Sequence, residues 1–251
     1  MGLLCTADSQ PVIAQRSGAD APFLFICDHA GRDIPSALGR LGLPDAALDR
    51  HIAWDIGAAE VTRQLSAAMQ APAILQRYSR LVIDCNRDPA TPGAIAEVSD
   101  GVPIPGNQGL DQAARRARVE AIHTPYHDAI AAELDARQAR GLPTVLVFVH
   151  SFTPRMDGFD RPWRFGVIRE PKSRFSLGVL QRLQAIGGFQ VGDNLPYAMD
   201  GTDYSAPTHA FARGLDYLEL EMRQDTVAGA EGQTATAALL HDVLLRTLED
   251  L

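Results

Sequence analysis

Two histidines stand at the ends of apolar runs of the sequence, His29 two residues after the first run and His150 directly after the second. The runs, residues 22–27 (PFLFIC) and 144–149 (TVLVFV), are short and uncharged, which predicts two buried strands with a histidine at the end of each. Two imidazoles and one carboxylate are a ligand set of catalytic zinc sites, in which a fourth position stays open. The pair therefore predicts a divalent-metal site. For either histidine alone, a hydrogen bond to a loop carbonyl is the ordinary alternative.

Two aspartates compete for the place of the third ligand. Asp55 is predicted near the start of a helix that follows the His29 loop, because apolar residues recur at helical spacing from residue 52 to the proline at residue 72. An aspartate in that position also has the ordinary role of capping the helix or compensating its dipole. Asp28, directly before His29, is the alternative. The sequence favours Asp55.

Residues 79–87 (SRLVIDCNR) place two guanidinium groups and an amide around a predicted strand, residues 80–84. Arginine binds carboxylates through a bidentate fork, so Arg80 or Arg87 can hold the free acid of an amino-acid substrate or polarise its scissile carbonyl. Asp84 is either a metal ligand or the partner of an arginine. Surface ion pairing is the ordinary alternative for each arginine.

Residues 218–223 (LELEMR) alternate apolar and charged side chains, so Glu219, Glu221 and Arg223 share one face of a predicted strand. A solvated edge strand has the same alternation. A glutamate on this face can act as the general base that takes a proton from water and returns it to a leaving nitrogen. The alternation alone leaves the choice between the two glutamates open.

Other residues carry weaker signals. His123 and His127 lie four apart on a predicted helix, but without the glutamate of an HExxH motif a surface or core role is expected. Ser151 and His209 are candidates for the lining of a pocket. The sequence contains no GxSxG elbow, no P-loop and no GxGxxG fingerprint, which argues against a serine hydrolase, a P-loop nucleotide-binding protein and a dinucleotide-binding enzyme.

The scaffold for these residues is predicted as one α/β domain covering residues 1–251. Further strands are expected at residues 165–168 and 215–222, and helices at 111–140, 175–185 and 234–248, with a long irregular loop at 90–110. Alternating strands and helices predict a mostly parallel central sheet flanked by helices on both faces. Ligands of such sheets collect beyond the carboxyl ends of the strands, where the candidate residues lie.

Composition limits the partners of the chain. A net charge of −8 and an isoelectric point near 5.3 argue against nucleic-acid binding, which usually needs a basic surface. No segment reaches membrane-spanning length, and residues 1–16 lack the basic start and apolar run of a signal peptide. The three cysteines form no CxxC pair and lack the density of a secreted disulfide scaffold, so we expect a cytoplasmic protein.

Five blocks of the sequence resemble the N-formylglutamate amidohydrolase family. In chain order they are residues 27–35 (CDHAGRDIP), 55–58 (DIGA), 79–87 (SRLVIDCNR), 150–154 (HSFTP) and 219–223 (ELEMR). They extend from about residue 22 to about residue 225. The resemblance implies a phosphorylase/hydrolase-like fold related to zinc carboxypeptidases and aspartoacylase. It also implies hydrolysis of an N-formyl or N-acyl amino acid, such as N-formyl-L-glutamate, to formate and the amino acid.

The resemblance also assigns roles to individual residues. It implies that His29 and His150 bind zinc and that Asn86 and Arg87 contact the substrate carboxylate. The HxxE ligand pair of the carboxypeptidases is absent, because Arg32 stands three residues after His29, so the third ligand is expected to be Asp55.

The last block, which ends in ExR, favours Glu221 over Glu219 as the base. Arg80 or the ion is expected to stabilise the oxyanion, and Arg223, Ser151 and His209 are expected to line the substrate pocket. Two other functions remain open: a carboxypeptidase or deacylase acting on another amide, and a noncatalytic protein that binds small acids. The sequence leaves open whether one of three arginines, Arg155, Arg161 or Arg164, contacts a second carboxylate of the substrate.

Overall fold

The computed structural model describes residues 2–251, and its strands form around the short apolar runs of the sequence. In chain order the strands are β1 (Val12–Gln15), β2 (Phe23–Cys27), β3 (Ala73–Gln76), β4 (Val98–Ser99), β5 (Val102–Pro103), β6 (Val145–Phe152), β7 (Arg155–Met156), β8 (Phe159–Asp160), β9 (Trp163–Ile168), β10 (Gln190–Asp193) and β11 (Asp216–Arg223). Seven of them form one sheet in the order β1-β3-β2-β6-β11-β9-β10. The β4–β5 and β7–β8 pairs form separate two-stranded sheets.

The centre of the sheet is parallel. Strands β3, β2, β6 and β11 run in one direction, while β1 and β9 pair antiparallel with their neighbours β3 and β11. Every residue of β2 and β6 is buried, as expected for parallel strands that are covered on both faces. The predicted fold class, a mostly parallel α/β sheet flanked by helices, is therefore confirmed.

Helices cover both faces of this sheet. In chain order they are α1 (Asp45–Leu48), α2 (Ala58–Met69), α3 (Gln112–Arg118), α4 (Thr124–Ala139), α5 (Arg174–Ile186), α6 (Ser205–His209) and α7 (Ala230–Glu249). Helices α2, α5 and α7 pack on one face, and α4 packs on the other together with the loops around residues 41–53 and 78–95. None of the helices described in residues 2–251 combines the length and the hydrophobicity that spanning a bilayer requires.

Strand alternation decides which face carries the polar groups. In β6, Val147 and Val149 enter the core beneath α2, α5 and α7, whereas Leu146 and Phe148 enter the opposite core. The next residue of the second set is His150. Strand β11 pairs in register with β6 and places Glu221 opposite His150. The imidazole and the carboxylate thus share one face near the carboxyl ends of the two strands.

The prediction of a strand at residues 80–84 is wrong. The structure has turns there, closed by hydrogen bonds from Val82 N to Ser79 O (2.9 Å) and from Asp84 N to Ala94 O (2.7 Å). The strand of this region is β3, seven residues earlier. Leu81, Val82 and Ile83 are nevertheless buried, in the core that includes α4. A short apolar run indicates burial, and here a buried loop meets that requirement instead of a strand.

The helix predicted from residue 52 begins later, so Asp55 lies in the loop before it. Helix α2 starts at Ala58, after Gly57 with a φ of 82°. A Cβ at Gly57 would lie 2.2 Å from Val227 O, which explains the glycine at this turn. Asp55 N donates to His29 O (2.9 Å) and Asp55 O accepts from Ala58 N (3.2 Å), so hydrogen bonds hold the loop at both ends.

Other boundaries differ in smaller ways. The helix predicted at 111–140 is present but changes pitch in a π-helical stretch at Val119–His123, while the proline at residue 125 falls in the first turn of α4, where no break occurs. The loop at 90–110 contains the hairpin of β4 and β5. Strands β1, β3 and β10 were not predicted. The helices at 175–185 and 234–248 are confirmed as α5 and α7.

Candidate active site

His29, Asp55 and His150 meet in the interior beyond the carboxyl end of β2. Their side chains are almost fully buried, and one potential ligand atom from each lies within 4.8 Å of the others. Asp55 Oδ2 lies 3.3 Å from His29 Nδ1 and 3.0 Å from His150 Nδ1. The structure thus brings together the three residues that the sequence favours as metal ligands.

Backbone contacts fix this trio. His29 lies two residues after the end of β2, and its carbonyl accepts the hydrogen bond from Asp55 N. His150 lies inside β6, two residues before its end, whereas the sequence predicted it just after the strand. Ser151 N donates to Asp55 Oδ2 (3.3 Å) and Ser151 Oγ donates to Ile56 O (2.9 Å), so β6 also orients the aspartate loop.

Two further aspartates face the remaining nitrogens of the histidines. Asp84 Oδ1 lies 2.7 Å from His29 Nε2, and Asp28 Oδ2 lies 3.3 Å from His150 Nε2. Carboxylates in this position fix the tautomer and the orientation of metal-binding imidazoles. Asp28, the alternative third ligand of the sequence, therefore lies behind His150 and outside the trio, where Ser205 Oγ donates to its Oδ1 (2.8 Å).

The surrounding carboxylates reverse the usual effect of burial on the histidines. Burial favours the neutral imidazole of His150, but its contacts with Asp28 and Asp55 outweigh burial and raise its pKa well above the ordinary value. Against its own burial, the contact with His150 lowers the pKa of Asp28 to about 2. The site thus stabilises positive charge strongly at the point where the three potential ligands converge.

These residues fit a divalent cation. Two imidazole nitrogens and one carboxylate oxygen converge, and the carboxylates behind them hold each ring with Nδ1 toward the common point. Ligands of this mixed nitrogen and oxygen type suit zinc and other first-row divalent ions.

Two glutamates of β11 stand beside the trio. Glu221, paired with His150 across the sheet, is buried, and its Oε2 has no hydrogen-bond partner among residues 2–251. Burial raises the pKa of Glu221 to about 7. Burial also raises the pKa of Glu219, and well above the ordinary value. A pKa near neutrality suits a residue that accepts and returns a proton, which favours Glu221.

Arg80 joins two carboxylates of the site. Its guanidinium lies 2.8 Å from Asp84 Oδ2 and 3.4 Å from Asp55 Oδ1, and these carboxylates raise its pKa against the effect of burial. Asp84 therefore contacts both Arg80 and His29. The sequence left open whether Asp84 is a metal ligand or the partner of an arginine, and in the structure it is the partner of Arg80.

A cavity of about 520 Å³ opens over these groups. Its wall includes most of the residues that the sequence proposed for the site, namely His29, Asp55, Arg80, Asn86, Arg87, His150, Ser151 and Glu221. It also includes Glu219, Tyr197 and Asp203. The sequence carried no sign of the last two, because residues 194–204 match no motif and lie far along the chain from the other blocks.

Asn86 and Arg87 are already engaged within the protein. Asn86 Oδ1 accepts from the backbone of Tyr204 (3.0 Å) and Ser205 (2.9 Å), and its Nδ2 donates to Asp203 Oδ1 (3.2 Å). Asp203 Oδ1 also lies 3.6 Å from the guanidinium of Arg87. Asn86 therefore ties the segment before α6 to the cavity wall.

Two predicted substrate contacts do not line the cavity. Arg223 points toward Asp225, with a hydrogen bond of 2.8 Å, and His209 pairs with His127 at 2.8 Å beneath the cavity wall. The charge alternation of β11 holds for Glu219 and Glu221, but Arg223, at the last residue of the strand, turns to the surface loop that follows.

Comparisons with known proteins agree with this geometry. The family model for N-formylglutamate amidohydrolase matches residues 21–228. A solved gene product of Agrobacterium tumefaciens is 36% identical, with a TM-score of 0.95 over 99% of this chain and 98% of that one. A search of curated proteins found no match.

Two more distant structures share the fold. An N-formylglutamate amidohydrolase from Ralstonia eutropha is 20% identical, with a TM-score of 0.62 over 96% of this chain and 98% of that one. A bacteriophage poly-γ-glutamate hydrolase is 10% identical, with a TM-score of 0.50 over 98% and 93%. The family match covers most of the chain and includes all five sequence blocks, which confirms the resemblance. The chain belongs to the N-formylglutamate amidohydrolase family and is a hydrolase of amide bonds.

Proposed function

We propose that the protein is a metal-dependent amidohydrolase that cleaves the amide of an N-formyl or N-acyl amino acid and releases formate, or the corresponding acid, and the free amino acid. N-formyl-L-glutamate is the first substrate to test, because the family carries its name. One observation supports the proposal above all: the buried trio of His29, Asp55 and His150 shares a cavity with Glu221.

His29, Asp55 and His150 would hold the ion, and we propose zinc. A divalent ion in such a site supplies Lewis acidity, which polarises a carbonyl oxygen and lowers the pKa of water. The chain's own contribution is orientation, because Asp84 and Asp28 hold the imidazole rings and Ser151 N holds the carboxylate of Asp55.

Glu221 would move the proton. Because burial raises its pKa to about 7, its carboxylate can accept a proton from water near neutral pH and then deliver it to the leaving nitrogen. The partnerless Oε2 leaves one carboxylate oxygen available for this exchange. Glu219 lies beside Phe148 of β6, two residues before the position that faces His150, so we assign the proton transfer to Glu221.

Arg80 would stabilise the negative charge that develops on the carbonyl oxygen during attack. Its guanidinium lines the cavity and is held between Asp84 and Asp55, so it needs no reorganisation during the reaction. Ser151 and Arg87 also line the cavity and are proposed to contact the substrate, while Asn86 positions the wall beside them.

A screen of N-formyl and N-acetyl amino acids against protein loaded with zinc, cobalt or nickel tests the proposal. Release of formate or acetate, measured together with the free amino acid, is the expected result, and His150→Ala should abolish it. Release of a different acid from another amide would indicate a deacylase with another specificity. If no compound is cleaved and the purified protein retains no metal, the hydrolytic proposal is wrong and a small-acid binding protein becomes the better hypothesis.

A further inference from the structure

Arg161 is a buried cation with no carboxylate partner. Only 8% of its surface is exposed, yet no carboxylate of residues 2–251 lies within salt-bridge distance. Its guanidinium contacts the hydroxyl of Tyr197 (3.1 Å) and the sulfur of Met156 (3.0 Å), and it lies over the rings of Tyr197 and Phe152. A phenol and a thioether satisfy only a small part of the hydrogen-bonding capacity of a guanidinium.

Two other buried arginines have a different environment. Arg118 donates to the carbonyls of Val82 (2.9 Å) and Gly106 (2.9 Å) and to the side chain of Asn107 (2.7 Å). Arg137 donates to the carbonyls of residues 19, 21 and 143 and to a threonine hydroxyl at residue 144. These two guanidinium groups are satisfied by structural acceptors, whereas Arg161 keeps donors that the fold does not use. Burying a charge in that way is costly unless a ligand compensates it.

Arg161 does not itself line the cavity, but its guanidinium lies directly behind two residues that do. Tyr197 and Met156, which it contacts directly, both line the cavity wall. The hairpin of β7 and β8 holds the residue there, because Arg161 N donates to Pro154 O (2.8 Å). The other two candidate arginines of this region lie elsewhere: Arg155 is exposed and pairs with Asp160 (3.5 Å), and Arg164 stacks on Phe165 and Phe189.

The cations that line the cavity are already compensated. Arg80 lies between Asp55 and Asp84, and the guanidinium of Arg87 lies 3.6 Å from Asp203. The amide of Asn86 donates to the same Asp203 carboxylate. A substrate carboxylate at Arg87 would therefore have to displace Asp203, or the two negative charges would repel each other.

We propose that Arg161 binds the carboxylate of the N-acyl amino acid substrate, while Asp203 occupies the Asn86–Arg87 pair as an internal counter-charge. The proposal rests on the proposed function for the nature of the ligand. It places the anionic end of the substrate at the Tyr197 and Met156 end of the cavity. One uncompensated guanidinium fits one carboxylate of such a substrate.

The test compares two inert ligands that differ only in the carboxylate. N-methylsulfonyl-L-alanine and its carboxamide contain a sulfonamide in place of the cleavable amide, so binding is measured without turnover. Titration calorimetry on the zinc-loaded protein gives the dissociation constant of each. We expect the wild-type protein to prefer the carboxylate by about tenfold or more, as a charge-assisted hydrogen bond to arginine predicts.

Four variants locate the source of this preference. Arg161→Met keeps a side chain of similar length without charge and should reduce the ratio to about one, whereas Arg155→Met, on the same hairpin, should leave it unchanged. Thermal unfolding of each variant verifies that the fold is kept, and Arg161→Lys should restore part of the preference. The proposal is overturned if the ratio persists in Arg161→Met, if it disappears in Arg87→Met alone, or if the wild type has no preference. Because these ligands are not hydrolysed, failure of the substrate screen would not affect this result.

Discussion

The protein contains two clusters of buried histidines that differ in their partners. In the first, which we call the metal-site pair because we propose that it holds the ion, His29 and His150 are surrounded by carboxylates, which raise the pKa of both. The second, which we call the carbonyl-bound trio, consists of His123, His127 and His209. Burial lowers the pKa of all three, to about 3 for His127 and to about 4 for His209. Similar burial thus leads to opposite pKa shifts.

The partner atoms explain the difference. In the carbonyl-bound trio, His127 Nε2 donates to the carbonyl of Cys85 (2.9 Å), and His127 Nδ1 lies 2.8 Å from His209 Nε2. His123 Nε2 lies 3.2 Å from the carbonyl of Arg87. Neutral rings suit these contacts, which brace the backbone on both sides of Asn86. The i, i+4 pair in the sequence resembles a metal motif more closely than the distant pair, yet only the distant pair has carboxylate partners.

The difference between the two clusters is tested most directly by removing one histidine from each. His150→Ala should reduce bound zinc from about one ion per chain to almost none, because two ligands rarely retain the ion, and hydrolysis should be lost with it. His209→Ala should keep the metal content of the wild type. Elemental analysis of both proteins after dialysis provides the measurement. Equal zinc in the two variants would contradict the assignment of the metal site.

A second comparison concerns the two glutamates beside the metal-site pair. Glu221→Gln should lower kcat by about 100- to 10,000-fold while zinc content stays unchanged, since only the proton transfer is lost. Glu219→Gln should have a much smaller effect, because Glu219 pairs with Phe148 of β6, two residues before the position that faces His150. Steady-state kinetics on the best substrate of the screen measures both. The reverse order of effects would move the base to Glu219.

The outer carboxylates should matter less than the ligands themselves. Asp84→Asn leaves a side chain of the same shape but removes the charge that orients His29, so zinc affinity should fall by about 10- to 100-fold. Competition with a chromophoric chelator measures the change. Asp33→Asn removes the charge of an exposed aspartate outside the site; it serves as the control and should leave the zinc affinity unchanged. An unaltered affinity in Asp84→Asn would show that the carboxylate does not support the ligand.

The smallest effect is expected in the pH dependence of stability of the carbonyl-bound trio. Because the folded protein holds His127 and His209 neutral, the unfolded chain binds protons that the folded one does not as pH falls below about 6.5. Stability is therefore lost on acidification, by about 1.4 kcal/mol per pH unit for each histidine, until the folded pKa values of about 4 and about 3 are reached.

Urea unfolding of metal-free protein at pH 7.0 and 5.5 measures this loss. Removal of one titrating group in His209→Phe should reduce the drop between the two values by about 1.4 kcal/mol relative to the wild type. Both proteins retain His29 and His150, so the contribution of the metal-site pair cancels in the difference. An identical drop in the two proteins would mean that His209 is not held neutral.

Much of the scaffold could be predicted from local sequence, and the exceptions have physical reasons. The runs that became β2 and most of β6 consist almost entirely of apolar residues, which favours strands that are buried on both faces. The three apolar residues Leu81, Val82 and Ile83 became a buried loop instead, because β3 already occupies the position next to β2 in the sheet. Apolar residues specify burial, and the neighbours of a segment determine its backbone.

The same division applies to the site. Local pattern and family resemblance together were enough to select His29, Asp55 and His150, since each lies beside an identifiable strand or helix. The tertiary structure alone placed Asp28 and Asp84 behind the imidazoles, turned Arg223 and His209 away from the cavity, and brought Asp203 to Arg87. It also left Arg161 buried without a carboxylate. The sequence by itself determines which groups can bind, but their partners lie far along the chain, and the energy of each charge depends on burial and distance, which exist only after folding.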